Sequence, residues 1–311
     1  MAGNKLDPRN IYPIWESALE TFIFEKRAEG KSDRTVFDYD SHVKRFFKLY
    51  PQAYEKENVR KCILDYLGKK VSVSTFNLRL SNLKIFFGWC VNEGLFDENP
   101  TCKIKKRRNP GRIVDISEHD IVKLLDCPDL STFTGLRDYS LMLLSIDTGI
   151  RPKEALTLLP EDIDISVLEI RVKSQNAKTR LARTLPISIQ TAKVIKKLLN
   201  ARYSQWDQSV PIFCTYEGCM MEVNSWYQRV ARYAKRIGKK IRPYDLRHTF
   251  ALNFLRNEGH VIALQKIMGH ADISMTKRYV ALSNKDIHDQ HIIASPVQKL
   301  FPKKNRKIKL K

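Results

Sequence analysis

Long apolar runs are missing from this 311-residue chain. The longest, Leu141-Met142-Leu143-Leu144, is cut by Ser145 and Asp147, far short of the roughly 18 residues a bilayer span requires. The first residues, Met1 to Pro8, hold no apolar stretch of signal-peptide type, and Ala2 stands where myristoylation needs glycine. A cytoplasmic location is therefore expected. Cysteine is sparse and scattered (Cys62, Cys90, Cys102, Cys127, Cys214, Cys219), and only the last two lie close together, which favours reduced thiols over disulfides or zinc. There is no GxxxxGKS loop, HExxH, paired CxxC or GxSxG, so nucleotide hydrolysis and zinc chemistry have no visible support. Asp162 and Asp164, alternating with Ile163 and Ile165, read as a solvated strand edge rather than a two-metal site. No metal or cofactor is expected. Acids are also in deficit: 34 Asp and Glu face 55 Lys and Arg, a net charge of +21. Such an excess gathers polyanions, of which nucleic acid is the commonest.

What is present suffices for about two domains. Hydrophobic residues make up 43% of the chain, with 14 Phe, 12 Tyr and 4 Trp to fill two cores. Helical spacing runs from Tyr12 to about Phe96, with apolar stripes such as Trp15, Leu19, Phe22 and Ile23, and Phe76, Leu80, Leu83, Phe86 and Phe87. Four helices are predicted, forming a domain over 10–98. Residues 99–111 follow as a basic linker in which Lys103, Lys105, Lys106, Arg107 and Arg108 arrive without an acid, a candidate strap along a phosphate backbone. The second domain, 112–282, opens at Ser117 with a capping signal and continues with a buried helix ending at Gly149. Its pattern then switches to alternation at Leu168, Ile170 and Val172, predicting a β-hairpin that carries Lys178 before Thr184-Leu185-Pro186. Helices resume near Ser188, Val223, Asp245 and Val261, and a last short one, beginning near Ser274, is expected to carry Tyr279. Residues 283–311 hold spaced apolar positions (Ile287, Ile292, Ile293, Val297, Leu300), a candidate surface for docking on a neighbouring protomer, and a tail rich in lysine from Lys299 to Lys311.

Three boxes and a hairpin stand out. Thr148-Gly149-Ile150-Arg151-Pro152-Lys153-Glu154 puts Arg151 at a helix start, with Pro152 at the favoured first position. Tyr244-Asp245-Leu246-Arg247-His248-Thr249 puts Arg247 just inside another helix. Met268-Gly269-His270 sets an imidazole in a turn, nine residues before Tyr279. These resemble the TGxRxxE, HxLRHT/S and LGHxxxxxTxxY boxes of the tyrosine recombinases, the phage-integrase and Xer type of site-specific DNA recombinase. The hairpin from Lys178 to Pro186, with its lysine eight residues before the proline, is similar to the family's as well.

The resemblance implies a mainly α, two-domain protein: a four-helix, SAM-like core-DNA-binding domain and a mixed α/β catalytic domain with a small antiparallel sheet. It implies that Tyr279 attacks a DNA phosphate to leave a 3′-phosphotyrosine, without ATP. Arg151, Arg247 and His270 would neutralise the pentacoordinate phosphorus, and Lys178 would protonate the leaving 5′-oxygen. Glu154 and Asp245 would orient the arginines. The implied partners are double-stranded DNA with inverted half-sites, further copies of the chain up to a tetramer joined through a Holliday junction, and accessory proteins. Tyr244 departs from the pattern, because the family usually has His there, and a phenol does not shuttle protons near neutrality as imidazole does. His248 reads as a packing residue, His260 and His288 as surface, and Trp226, Tyr227 and Tyr233 as core. Two rival readings remain: a non-catalytic DNA-binding relative, which Tyr244 would suit, and a type IB topoisomerase-like nicking and closing enzyme.

Overall fold

The computed structural model describes residues 8–109, 114–173, 182–280, 291, 292 and 294–300, and the chain forms two compact units that divide between Gly111 and Arg112. Lys178, Ile287, Ile293 and the tail from Phe301 to Lys311 lie outside the described residues.

The first unit is helical: α1 (Pro8–Ile11), α2 (Trp15–Ala28), α3 (Asp33–Leu49), α4 (Lys56–Gly68) and α5 (Val73–Asn92), with a 3₁₀ turn at Pro51–Tyr54. The short α1 and the 3₁₀ turn add to the four predicted helices. Ser32 and Ser72 cap α3 and α5, their hydroxyls accepting the backbone N–H of Thr35 and Thr75 at 3.3 and 3.2 Å. The apolar stripes then meet in an aromatic core, where Phe22 and Phe86 lie edge to face at 5.4 Å and Phe46 and Phe87 at 6.1 Å. Each such pair contributes about 0.5–1.5 kcal/mol beyond its buried area.

The second unit contains α6 (Glu118–Leu125), α7 (Phe133–Thr148), α8 (Pro152–Leu156), β1 (Ile163–Asp164), β2 (Glu169–Val172), β3 (Arg183–Pro186), α9 (Ile189–Asn200), α10 (Val223–Arg236), α11 (Pro243–Arg256), α12 (Val261–Met268) and α13 (Ile273–Lys277). The protein is thus mainly helical with one small sheet of order β1-β2-β3, antiparallel throughout, in the register Ile170 to Leu185 and Val172 to Arg183. Buried α7 packs against both α9 and α11. It ends where Gly149 takes the left-handed conformation (φ 62°), as a helix-stop glycine does. A Cβ there would sit 2.3 Å from the Phe250 ring, so α11 is seated directly against this turn.

Two expectations are corrected. Asp162 is not at a solvated edge: it is 3% exposed in a 3₁₀ turn, accepts the Leu159 N–H at 2.9 Å and pairs with Lys173 at 3.1 Å. Strand β1 begins only after it. Tyr279 is not carried on the short helix expected from Ser274, because α13 stops at Lys277 and the chain tightens into i to i+3 bonds, with Tyr279 N–H donating to Thr276 and Val280 N–H to Lys277; nor is α13 the final helix, since a further one spans Pro296–Leu300. Near the C-terminus, Ile292, Val297 and Leu300 are exposed. No helix among the described residues is long and apolar enough to cross a membrane.

Candidate active site

Two helix C-termini build the site. The last carbonyls of a helix lack intrahelical partners and carry the negative end of its dipole, which suits a cation. Arg247, on the second turn of α11, is only 4% exposed and uses both termini: Nη1 donates to the Gly149 carbonyl after α7, and Nη2 to the Met268 carbonyl ending α12 at 2.7 Å. Arg151, at the start of α8, donates through Nη2 to the Gly269 carbonyl at 2.9 Å and through Nη1 to Glu154 at 2.9 Å. Gly269 is left-handed as well (φ 60°), and this turn is what exposes both carbonyls. The sequence puts Arg151 two residues after Gly149 and Arg247 just inside a helix; the structure brings both to the carbonyls of these helix ends.

His270 follows in the same turn. Its Nε2 faces Arg247 Nη2 at 3.2 Å, and its Nδ1 faces the hydroxyl of buried Thr276 at 2.8 Å. A guanidinium can only donate, so Nε2 accepts and the ring proton sits on Nδ1, directed at Thr276. Burial, then the charges of Arg247, Arg151 and Arg183, pull the imidazole down to about 4. It is neutral at physiological pH. Arg247 is itself pulled down to about 9, first by burial and then by the neighbouring charge of Arg151.

Tyr279 stands beside these groups. Its ring stacks parallel to His270 at 6.4 Å, and its hydroxyl lies 2.7 Å from His248 Nδ1. Burial pushes the phenol above its usual 10, while Arg247, Arg278 and Arg151 draw it back. His248 is therefore not the packing residue the sequence suggested. Nothing in its spacing gave that away, since only the return of the chain after α13 brings the two side chains together.

Arg183 was also missed. From the start of β3 its Nη1 and Nη2 reach the two Glu154 oxygens at 3.2 and 2.6 Å, and its Nε donates to the Ile267 carbonyl at 3.0 Å. The available signal was an arginine two residues before Leu185, hence on the inward face of the strand. Glu154 is the hub: burial pushes its carboxyl up, but the bonds and charges of Arg183 and Arg151 outweigh this and hold it below its usual range. Asp245 reaches no guanidinium in its described bonds. Its carboxylate accepts the Arg242 N–H at 2.9 Å and so fixes the start of α11, which carries Arg247. Tyr244 is 40% exposed on that first turn, its ring 6.4 Å from that of Tyr227, and its described contacts do not join it to Arg151, Arg247, His270 and Tyr279.

In the first unit, Lys103, Lys105, Lys106, Arg107 and Arg108 are all exposed. Asn77 clasps this irregular segment at two points, donating to the Arg107 carbonyl and accepting its N–H, both at 2.8 Å. The Arg107 guanidinium lies 3.8 Å over the Phe76 ring.

A cluster of guanidiniums and a neutral imidazole, with a phenol ring stacked beside the imidazole, has the chemistry to receive an anionic group. Next to it, Arg183, Gly269 and His270 line a cavity of about 340 Å³. Comparison with known proteins defines the class further. The profile of the phage integrase family matches residues 115–286, more than half of the chain, and the chain belongs to that family. It is similar to tyrosine recombinase XerC of Thermodesulfovibrio yellowstonii (29% identity, covering 88% of this chain and 94% of the relative). It is similar as well to tyrosine recombinase XerD of Pseudomonas aeruginosa (25% identity, 90% and 96%). Among solved structures, the fold resembles the Tn1549 transposon integrase in complex with a circular intermediate DNA, with a TM-score of 0.73 at 16% identity over 89% of this chain and 99% of the other. It also resembles the XerH site-specific recombinase bound to its difH substrate, with a TM-score of 0.66 at 18% identity over 90% and 84%. As these names indicate, the family is one of enzymes, the tyrosine recombinases.

Proposed function

We propose that this protein is a site-specific DNA recombinase that cuts and rejoins duplex DNA through a phosphotyrosine at Tyr279. The observation that carries the reading is the convergence of Arg151, Arg247 and His270 on the turn from Met268 to His270, with the Tyr279 ring stacked beside His270. Arginine has five N–H donors in a planar fork, and the described bonds use two from Arg151 and three from Arg247. The others are available to the non-bridging oxygens of a phosphodiester, where charge grows as phosphorus becomes pentacoordinate. His270 needs a second proton, or the other tautomer, before Nε2 can donate to the same oxygens. An arriving phosphate favours that change, because its negative charge raises the pKa of the imidazole. Lys178 would deliver the proton to the leaving 5′-oxygen. Exchanging one phosphodiester for another needs no ATP.

The net charge and the exposed basic side chains of Lys103, Lys105, Lys106, Arg107 and Arg108 support duplex DNA as the substrate. The relatives' names support site-specific recombination, with paired sites of inverted half-sites, assembly of the chain to a tetramer and a Holliday junction as the further expectation. Integration or excision of a mobile element and resolution of DNA multimers are the two outcomes this chemistry serves. The test is a covalent trap. Nicked suicide duplexes from DNA flanking the gene are incubated in EDTA with wild type and Tyr279→Phe and separated in SDS. An adduct formed by wild type alone is expected. Retention of the DNA without an adduct would instead favour the binding-only relative, and relaxation of DNA carrying a single site would favour the topoisomerase-like reading.

A further inference from the structure

A phenol held above its usual pKa by burial is a weak nucleophile until something removes its proton. The groups around Tyr279 differ in their fitness for that task. Both nitrogens of His270 are engaged, by Arg247 and Thr276, and its ring lies parallel to the tyrosine ring, interplanar angle 8°. Tyr244, at the position where imidazole was expected, has the wrong chemistry and sits 40% exposed against Tyr227. His248 faces the hydroxyl itself, Nδ1 to oxygen 2.7 Å, which is within the range for a base and the proton it abstracts.

We propose that His248 is the base that takes the Tyr279 proton during attack on the phosphate. This rests on the reading of Tyr279 as nucleophile. With His248 protonated at Nε2, its Nδ1 lone pair accepts the hydroxyl proton of Tyr279. As the O–H bond breaks and Nδ1–H forms, the phenol oxygen pair bonds to phosphorus. The bond from phosphorus to the 5′-oxygen breaks with its electron pair, and that oxygen takes a proton from the general acid to become a hydroxyl. In rejoining, the 5′-hydroxyl attacks phosphorus and His248 returns its proton to the departing tyrosine. The same helix, α11, thus sets both Arg247 and the base, one residue apart, and couples clamping of the phosphate to activation of the phenol.

The groups facing His248 keep it ready to accept. Burial lowers its pKa first; Asp245 on its own helix opposes this, while Arg247 and Arg278, the latter beyond α13, add to it. His270 and Tyr279 are the other titratable groups that face it among the described residues. It is neutral at physiological pH, and cleavage is expected to fall only as the pH drops below the ordinary histidine value of about 6.5.

Single-turnover cleavage of the suicide duplex, measured from about pH 5 to about pH 10 for wild type, His248→Gln and His248→Gly, tests the assignment, with DNA retention followed in parallel. Loss of a general base predicts a rate lowered about 10²–10⁴-fold near neutrality, with retention unchanged. The deficit should shrink as the pH approaches the phenol's own ionisation, and free imidazole should restore part of the His248→Gly rate in proportion to its neutral fraction. A uniform deficit at every pH, without a response to imidazole, would reduce His248 to a positioning residue and overturn the proposal, as would wild-type cleavage by both variants. In either of those cases the wild-type adduct still forms, so the nucleophile reading survives. Absence of an adduct from wild type overturns both.

Discussion

Two clusters of buried charge in the second unit are balanced differently. At the first, the Asp138 carboxylate, fully buried, accepts Arg137 Nε and Nη2 at 3.0 and 2.8 Å, Arg229 Nε, and the Tyr233 hydroxyl at 2.8 Å. At the second, Glu154 likewise accepts two guanidiniums, from Arg151 and Arg183. The difference is a third cation, Arg247, buried next to them and held by carbonyls and an imidazole rather than by an acid. Buried charge persists where it is paired, and one left without a counter-charge is costly to the fold. Guanidiniums outnumber the carboxylate by one at Asp138 and, with Arg247, by two at Glu154, so the Glu154 cluster keeps the larger surplus of positive charge, which an arriving phosphate would neutralise. The first unit has neither kind: its buried polar side chains, among the described residues, are Asn82 and Thr101.

The comparison is broken most severely at Asp138. Asp138→Asn leaves Arg137 and Arg229 beside a neutral amide, and removing one partner of a buried pair destabilises by about 3–5 kcal/mol. Chemical denaturation should show that loss, while the cleavage rate per folded molecule stays near wild type. Equal stability would mean that water or backbone carbonyls satisfy these arginines without the carboxylate.

Arg247→Gln should do the reverse. Cleavage should fall about 10²–10³-fold, the scale of losing one preorganised donor to a developing oxyanion. Stability should hold or rise, because the amide can still donate to a carbonyl and the repulsion with Arg151 is gone. Sulfate, binding only the folded state, should raise the wild-type melting temperature more than that of the variant. A variant that cleaves normally, or one that loses as much stability as Asp138→Asn, would remove the distinction between the two clusters.

How much of this was legible in the sequence follows from where each residue sits. Gly149 and Gly269 announce helix ends, with Arg151 and His270 one or two residues beyond them, and Arg247 lies in the second turn of the helix that Pro243 opens, so local chain chemistry exposes them. The aromatic stripes of the first unit are periodic and gave its helices directly. Arg183 and His248 act through contacts across 29 and 31 residues, which no local period encodes. Tyr279 was found by its spacing from His270, yet its place beyond the end of α13 depends on a tightened last turn that spacing does not specify. Asp162 was misjudged for the same reason: alternation suggested a strand where a 3₁₀ turn buries the carboxylate.

The smallest effect concerns His270 and tests the electrostatics of the surplus charge directly. In the unfolded chain its imidazole titrates near 6.5; in the fold it is pulled to about 4, by burial first and by Arg247, Arg151 and Arg183 next. Between those values the unfolded state binds the proton more strongly, so the contribution of this group to stability is fully present above about 6.5 and is lost as the pH falls toward about 4. His248 and His42 are shifted in the same direction and add to the slope. The informative quantity is therefore the difference between wild type and His270→Gln in urea unfolding across that window, where the variant should show the shallower dependence on pH. Arg247→Gln should flatten the wild-type slope partway, since it removes the neighbouring charge that acts most strongly on the ring while leaving the ring buried. If His270→Gln and wild type instead lose stability in parallel, His270 is not held neutral by its cationic neighbours, and the surplus charge that separates the Glu154 cluster from the Asp138 cluster is already compensated in the free protein.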